Sequence, residues 1–197
     1  MGPPADELAG HPDRERWNAR YGGFTASFQP HPLAARALSL PLPPGPVADL
    51  ACGPSGSALL AAEAGRRVTA VDVSDVALDL LRAEAGRRGL AGLITLVQAD
   101  LAQWRPAADG YALVLATGFW DRALFPAAAA AVRAGGLLGW EAFTTAALRD
   151  RPGLCPGWCL ASGEPASLLP PGFQVLATEE VPGHGARRRL LARRLAG

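Results

Sequence analysis

The 197-residue chain has no lysine, so all nineteen of its Lys+Arg positions are arginine. Isoleucine occurs once, at Ile94. Lysine-free, Ala- and Gly-rich composition is what a GC-rich coding sequence produces, and the arginine excess is therefore compositional before it is functional. An excess of one charge sign is also missing: eighteen acidic residues nearly cancel the arginines and leave a formal net charge of +1. That balance argues against a chain built to grip nucleic acid or an anionic membrane. The three cysteines (Cys52, Cys155, Cys159) are too few for a secreted disulfide framework, and their odd number suits reduced thiols in a cytoplasm. No apolar run approaches the ~18 residues of a membrane span. The longest, from Ala123 to Val132, is interrupted by Pro126. Met1–Arg20 is polar and carries Asp6, Glu7, Asp13 and Glu15, unlike a signal peptide. The expectation is a cytoplasmic monomer or homodimer with no nucleic-acid or membrane partner. Its length suits one domain, since domains run about 100–200 residues, and no disulfide staple is needed at that size.

What is present is a rhythm. Residues 1–11 and the PLPPGP of 41–46 read as loop. Between them Asp13–Tyr21 predicts a short helix with Trp17 and Tyr21 on one face. From Val47 apolar strands and helices alternate: strands over Val47–Cys52, Val68–Val73, Leu93–Gln98, Tyr111–Ala116 and Leu137–Phe143. Helices fall over Ser57–Ala64, Asp75–Arg88 (Ser74 as N-cap, Gly89 beyond its end) and Leu124–Arg133, the last stopped by Gly135-Gly136. That alternation predicts an α/β fold with a mostly parallel sheet and helices on both faces. Phe173–Glu179 and Arg187–Leu195 have no crossover helix between them, only Pro182-Gly183-His184-Gly185, and predict a closing antiparallel hairpin.

In such a sheet ligands bind beyond the carboxyl ends of the strands, near the switch point. Chemistry is thus expected at Asp49–Ser57, Asp72, Asp100 and 116–122. Gly53 and Gly56 allow a sharp turn that brings backbone N–H groups near a ligand. Asp72, about 20 residues beyond the glycines, suits the two hydroxyls of a ribose. Asp100 suits an exocyclic amine, with Leu101 against a ring face. The competing dinucleotide fingerprint G-x-G-x-x-G is not supplied, because in Gly53-Pro54-Ser55-Gly56-Ser57-Ala58 a serine stands at its second glycine and an alanine at its third.

The stretches VADLACGPSG (47–56), VTAVDVS (68–74), QADL (98–101), YALVLAT (111–117) and VRAGGLLGWEAFT (132–144) resemble class I S-adenosylmethionine-dependent methyltransferases. Trp17-Asn18-Ala19-Arg20-Tyr21 is similar to the opening of the small tellurite-resistance and thiopurine-type members. The resemblance implies a Rossmann-like seven-stranded sheet, a core over 47–197 and an N-terminal lid over 1–40, all in a single domain. It implies S-adenosylmethionine as methyl donor, S-adenosylhomocysteine as product and a small-molecule acceptor such as a thiol or chalcogen oxyanion. Asp49, Ala51, Gly53 and Ser55 would line the methionine side, Asp72 and Val73 the ribose, and Asp100 and Leu101 the adenine. Ala116 and Thr117 would lie beside the sulfonium, with Tyr21 as a lid. The chain departs from the family loop in two places: Ala51 fills the first glycine slot and Ser55 replaces the third glycine.

On the acceptor side the candidates are Arg122, to steer an anion, with His31 and Glu141. A carboxylate in the otherwise apolar strand 137–143 is expected at the functional end rather than in a structural pair. Asp121–Arg122 reads otherwise as a local ion pair. Phe119 and Trp120 are expected as a pocket wall, and Cys155 and Cys159 as thiols facing it. A metal is not expected: C-x3-C fits a zinc spacing but four ligands are lacking, His184 is far in sequence, and His11 and His31 have no matched neighbours. The arginines of 187–194 divide between two strand faces and read as a solvated edge. The alternative function is a non-catalytic S-adenosylmethionine-binding sensor or partner subunit. It differs in needing no open cavity walled by 119–122 and 151–163.

Overall fold

The computed structural model describes residues 8–23, 25–183 and 185–196; His184 lies outside them. The core elements are β1 (Val47–Leu50), β2 (Val68–Asp72), β3 (Ile94–Gln98), β4 (Tyr111–Thr117), β5 (Val132–Phe143), β6 (Phe173–Val181) and β7 (Arg187–Arg194). They form one seven-stranded sheet in the order β3-β2-β1-β4-β5-β7-β6. β1 to β5 run parallel, and β7 is inserted antiparallel between β5 and β6. The strand order reverses between β1 and β4, which sets the switch-point crevice at the carboxyl ends of those two strands.

The helices are α1 (Pro12–Gly22), α2 (Pro32–Ser39), α3 (Gly56–Glu63), α4 (Asp75–Arg87) and α5 (Phe125–Ala131). Ser55 and Ser74 cap α3 and α4, each hydroxyl accepting from the N–H three residues on, Ala58 and Ala77. α2 was not foreseen as a helix. Its signals are Pro32 at the first position and His31 as N-cap, whose Nδ1 accepts from the Leu33 N–H at 3.2 Å. None of the helices is long and apolar enough to cross a membrane, among the described residues.

Strand alternation sorts the core into two layers. Val114, Ala116, Leu138 and Trp140 pack with Trp120 and Phe125 on the α5 side. Leu113, Leu115 and Leu137 pack with Leu33, Leu59 and Leu81 on the other. Trp140 is fully buried and edge-on to both Trp120 and Phe125, so Trp140→Ala would cost about 3–5 kcal/mol.

Two expectations are corrected here. Gly135-Gly136 does not stop a helix at 133, because α5 ends at Ala131 and β5 begins at once. The glycines sit in a bulge, where pairing jumps from Tyr111↔Val132 to Leu113↔Leu137 and Gly135 has φ +77°. Nor is β7 a solvated edge. β6 takes the edge, and the β7 arginines are paired: Arg188 with Glu180, Arg189 with Glu141 and Arg194 with Asp109.

Candidate functional site

The glycine loop after β1 uses backbone conformations that most side chains avoid: φ is +50° at Ala51 and +57° at Gly53. Ala51 therefore holds a left-handed position at a cost that glycine would not incur. Asp72, at the end of β2, fastens this loop. Its two oxygens accept from the N–H groups of Gly53 and Ser74, both at 2.8 Å. The carboxylate also faces a cavity. Burial pushes the Asp72 carboxyl above its ordinary value, partly offset by those backbone donors.

Asp49 is buried one layer beneath. It accepts from the Ser55 hydroxyl at 2.6 Å, and burial pushes it up to about 7. Gly56 differs from its expected role. A Cβ there would lie 2.3 Å from the Phe28 carbonyl oxygen, so this glycine admits the backbone of the segment before α2 rather than a ligand. Gly53 admits Tyr21, whose hydroxyl would be 2.8 Å from a Cβ at that position.

The cavity measures about 1070 Å³. Its inner half is lined by Tyr21, Ala51, Asp72, Val73, Asp100, Leu101 and Thr117. Asp49, Gly53, Ser55 and Ala116 support that wall without lining it. α1 covers this half although none of its residues is buried. Arg14 reaches Asp75 at 2.7 Å, Asn18 reaches Asp75 at 2.8 Å, and the Ser74 hydroxyl donates to Asn18 at 2.6 Å. The Asp100 carboxylate lies 3.6 Å from His11 at the start of α1. Burial and the charge of Asp72 raise the Tyr21 phenol, which keeps it protonated.

The outer half is aromatic. Gly118, Phe119 and Trp120 follow β4, and the Phe119 carbonyl accepts from the Trp140 indole N–H at 2.9 Å. Phe143, Arg151, Leu154, Trp158 and Arg187 complete the wall from the loop after β5 and the start of β7. Sequence reasoning named the 151–163 loop but missed Phe143 and assigned Arg187 to a solvated edge. Arg16, from α1, lies over the Trp158 ring at 4.3 Å and closes the wall against the lid.

The three acceptor-side candidates lie elsewhere. Arg122 pairs with the buried Glu164 and does not line the cavity. Asp121 is not its partner; the Asp121 carboxylate accepts from the Ala123 and Leu124 N–H groups at the start of α5. Glu141 is in a structural pair after all: His31 Nε2 lies 3.2 Å away, and Arg189 donates to it. Burial pushes Glu141 up, but the hydrogen bonds and charges of His31 and Arg189 outweigh it and leave the carboxyl below its ordinary value. His11 and His31 thus both have acidic neighbours, contrary to expectation. Cys155 is exposed and Cys159 buried, and neither lines the cavity. Among the described residues no cluster of three or more His, Cys, Asp or Glu is placed to hold a metal ion.

Residues 47–136 match a methyltransferase-domain family. No curated protein matches the sequence. The fold is similar to that of geranyl diphosphate C-methyltransferase from Streptomyces coelicolor A3(2), crystallised with Mg2+, geranyl diphosphate and S-adenosyl-L-homocysteine. That likeness has a TM-score of 0.69 at 12% identity and covers 99% of this chain and 88% of that one. An S-adenosylmethionine-dependent methyltransferase from Mesorhizobium loti is similar at TM-score 0.65 and 21% identity, over 82% and 96% of the two chains. So is the cyclase SpnF, at TM-score 0.65 and 17% identity, over 84% and 79%.

Proposed function

We propose that the chain transfers a methyl group from S-adenosylmethionine to a small-molecule acceptor. The observation that carries this reading is that Asp72 and the aromatic loop after β4 open onto one continuous cavity. A fold of this kind also serves a cyclase, so the reading rests on the site rather than on the architecture.

The residues present fit the donor. Asp72 presents its carboxylate to the cavity for the ribose hydroxyls, and Asp100 and Leu101 offer an acceptor and an apolar face for the adenine. Ala51 and Gly53 present a left-handed turn beside Tyr21 for the methionine end. The negative charge of Asp72 and Asp100 favours a cation in the inner half. Bound S-adenosylmethionine supplies a methyl group already activated on a sulfonium.

What remains for the chain is positioning. Thr117, Gly118 and Phe119 lead the β4 end from the inner half to the outer, and the Trp140 indole holds the Phe119 carbonyl in place. Holding an acceptor in line within such a walled site can supply several kcal/mol of the barrier. α1 excludes water from above. Among the described residues no histidine lines the cavity, which suits an acceptor that ionises without a positioned base, such as a thiol or chalcogen oxyanion.

A sensor that binds the nucleoside without catalysis would keep Asp72 and Asp100. The wide aromatic outer half favours the enzyme. The test is transfer of radiolabelled methyl to a panel of thiols, selenite, tellurite and phenols. The expected result is label in a small molecule. Label only in RNA or protein would overturn the acceptor class, and binding of the donor without transfer to any acceptor would favour the sensor.

A further inference from the structure

We infer that the outer half of the cavity takes an aromatic acceptor bearing an oxyanion, with Arg151 and Arg187 holding the anion. This rests on the methyl-transfer reading for what the inner half holds.

Four arginines line the cavity, and they are not equivalent. Arg16 is committed: it pairs with Asp13 at 2.7 Å and lies between the rings of Trp17 and Trp158. Arg20 lies over Trp17, beside Tyr21. Arg151 and Arg187 instead converge on one ring, their guanidinium carbons 4.7 and 4.4 Å from the Phe143 centroid. They reach it from different elements, the turn after β5 and the first residue of β7.

Neither guanidinium is neutralised as Arg16 is. Arg187 is 3.7 Å from Glu141, a carboxylate that already has Arg189 and His31. Arg151 touches Phe143 and has no carboxylate partner among the described residues; Asp150 lines the cavity without pairing to it. A guanidinium laid on a ring face keeps its planar N–H edge free, and that edge matches a carboxylate or phosphate. Phe119, Leu154 and Trp158 provide flat apolar walls beside it.

The charge layout agrees. Asp72 ends β2 and Arg187 begins β7, four strand spacings away, or roughly 20 Å across the sheet. Carboxylates thus line the end suited to a sulfonium nucleoside, and Arg151 and Arg187 line the opposite end, with Asp150 beside Arg151 and Glu141 3.7 Å from Arg187. Arg122, expected from the sequence to steer an anion, is spent on Glu164, and Arg151 and Arg187 take that place.

The test titrates 2-naphthoate, 2-naphthyl phosphate and the neutral 2-naphthamide into the protein by calorimetry, with and without saturating S-adenosylhomocysteine. At least one anion is expected to bind tenfold or more tightly than the amide, and the preferred head group separates carboxylate from phosphate recognition. Arg151→Gln and Arg187→Gln should each cut that advantage to about threefold or less. Arg151→Gln should leave S-adenosylhomocysteine affinity within twofold. Because the Arg151 guanidinium makes no ion pair among the described residues, that variant decides the matter even where Arg187→Gln disturbs Glu141 and folding. Equal binding of amide and anions, no binding of any probe, or an anion advantage that survives Arg151→Gln would overturn the inference. Failure of S-adenosylhomocysteine to bind would sink the donor assignment instead, leaving the arginines to be judged on the unliganded protein.

Discussion

The two halves of the cavity are built on different plans. The inner half comes from strand ends and the turns that follow them, and its polar groups answer to one another: Asp72 to Gly53 and Ser74, Asp49 to Ser55. The outer half is gathered from Phe119, Phe143, Arg151, Trp158 and Arg187, and its side chains meet through arginines laid over rings, with one indole hydrogen bond holding the Phe119 carbonyl. The first plan fixes a geometry for one ligand. The second leaves surface chemistry free to differ while the sheet stays the same.

The sharpest way to break this contrast is Asp72→Ala. It removes the proposed ribose acceptor and strands the Gly53 and Ser74 N–H groups. S-adenosylhomocysteine affinity should fall at least about 100-fold, or ~2.7 kcal/mol, measured by calorimetry. Loss of under threefold would separate the inner half from the nucleoside. Gly56→Ala attacks the same half through its backbone, since the new Cβ would collide with the Phe28 carbonyl. A cost of about 2–3 kcal/mol is expected, seen as a fall of roughly 5–10 °C in melting temperature. An unchanged melting temperature would show that the segment before α2 is not packed there.

Trp158→Ala probes the outer half alone. Acceptor KM should rise about tenfold with S-adenosylhomocysteine affinity unchanged, and a parallel loss of both would join the two halves. A weaker effect concerns pH. The folded value of Asp49, about 7, lies above its ordinary 3.8. Below pH 4 the group is protonated in both states. As pH rises from about 4 to 7 the unfolded chain loses that proton first, so stability falls across the window. Asp49→Asn should flatten the fall, and melting curves from pH 4 to 8 would register it. The smallest effect belongs to the lid latch: Arg14→Ala breaks a pair whose Asp75 side chain is 38% exposed. It should lower the denaturant midpoint only slightly, because solvent screens an exposed pair.

The same contrast explains what could be read beforehand. The sheet, its closing hairpin and the inner residues Asp72, Val73, Asp100 and Leu101 follow from apolar strands whose ends lie next to them in sequence. The outer half joins residues from α1, the end of β4, the loop after β5 and the start of β7, and no local pattern links them. Glu141 misled for a related reason. Its partners His31 and Arg189 come from the segment before α2 and from β7, neither adjacent in sequence. Arg122 was drawn away by Glu164, far along the chain. Gly56 was recognised as a close-approach position, but what approaches it is the chain itself.

The central claim is that the inner half binds a sulfonium nucleoside, and titration of the unmodified protein with S-adenosylhomocysteine by calorimetry tests it most directly. The account predicts one site per chain with micromolar affinity, about −8 kcal/mol. The absence of any binding at millimolar nucleoside would contradict it.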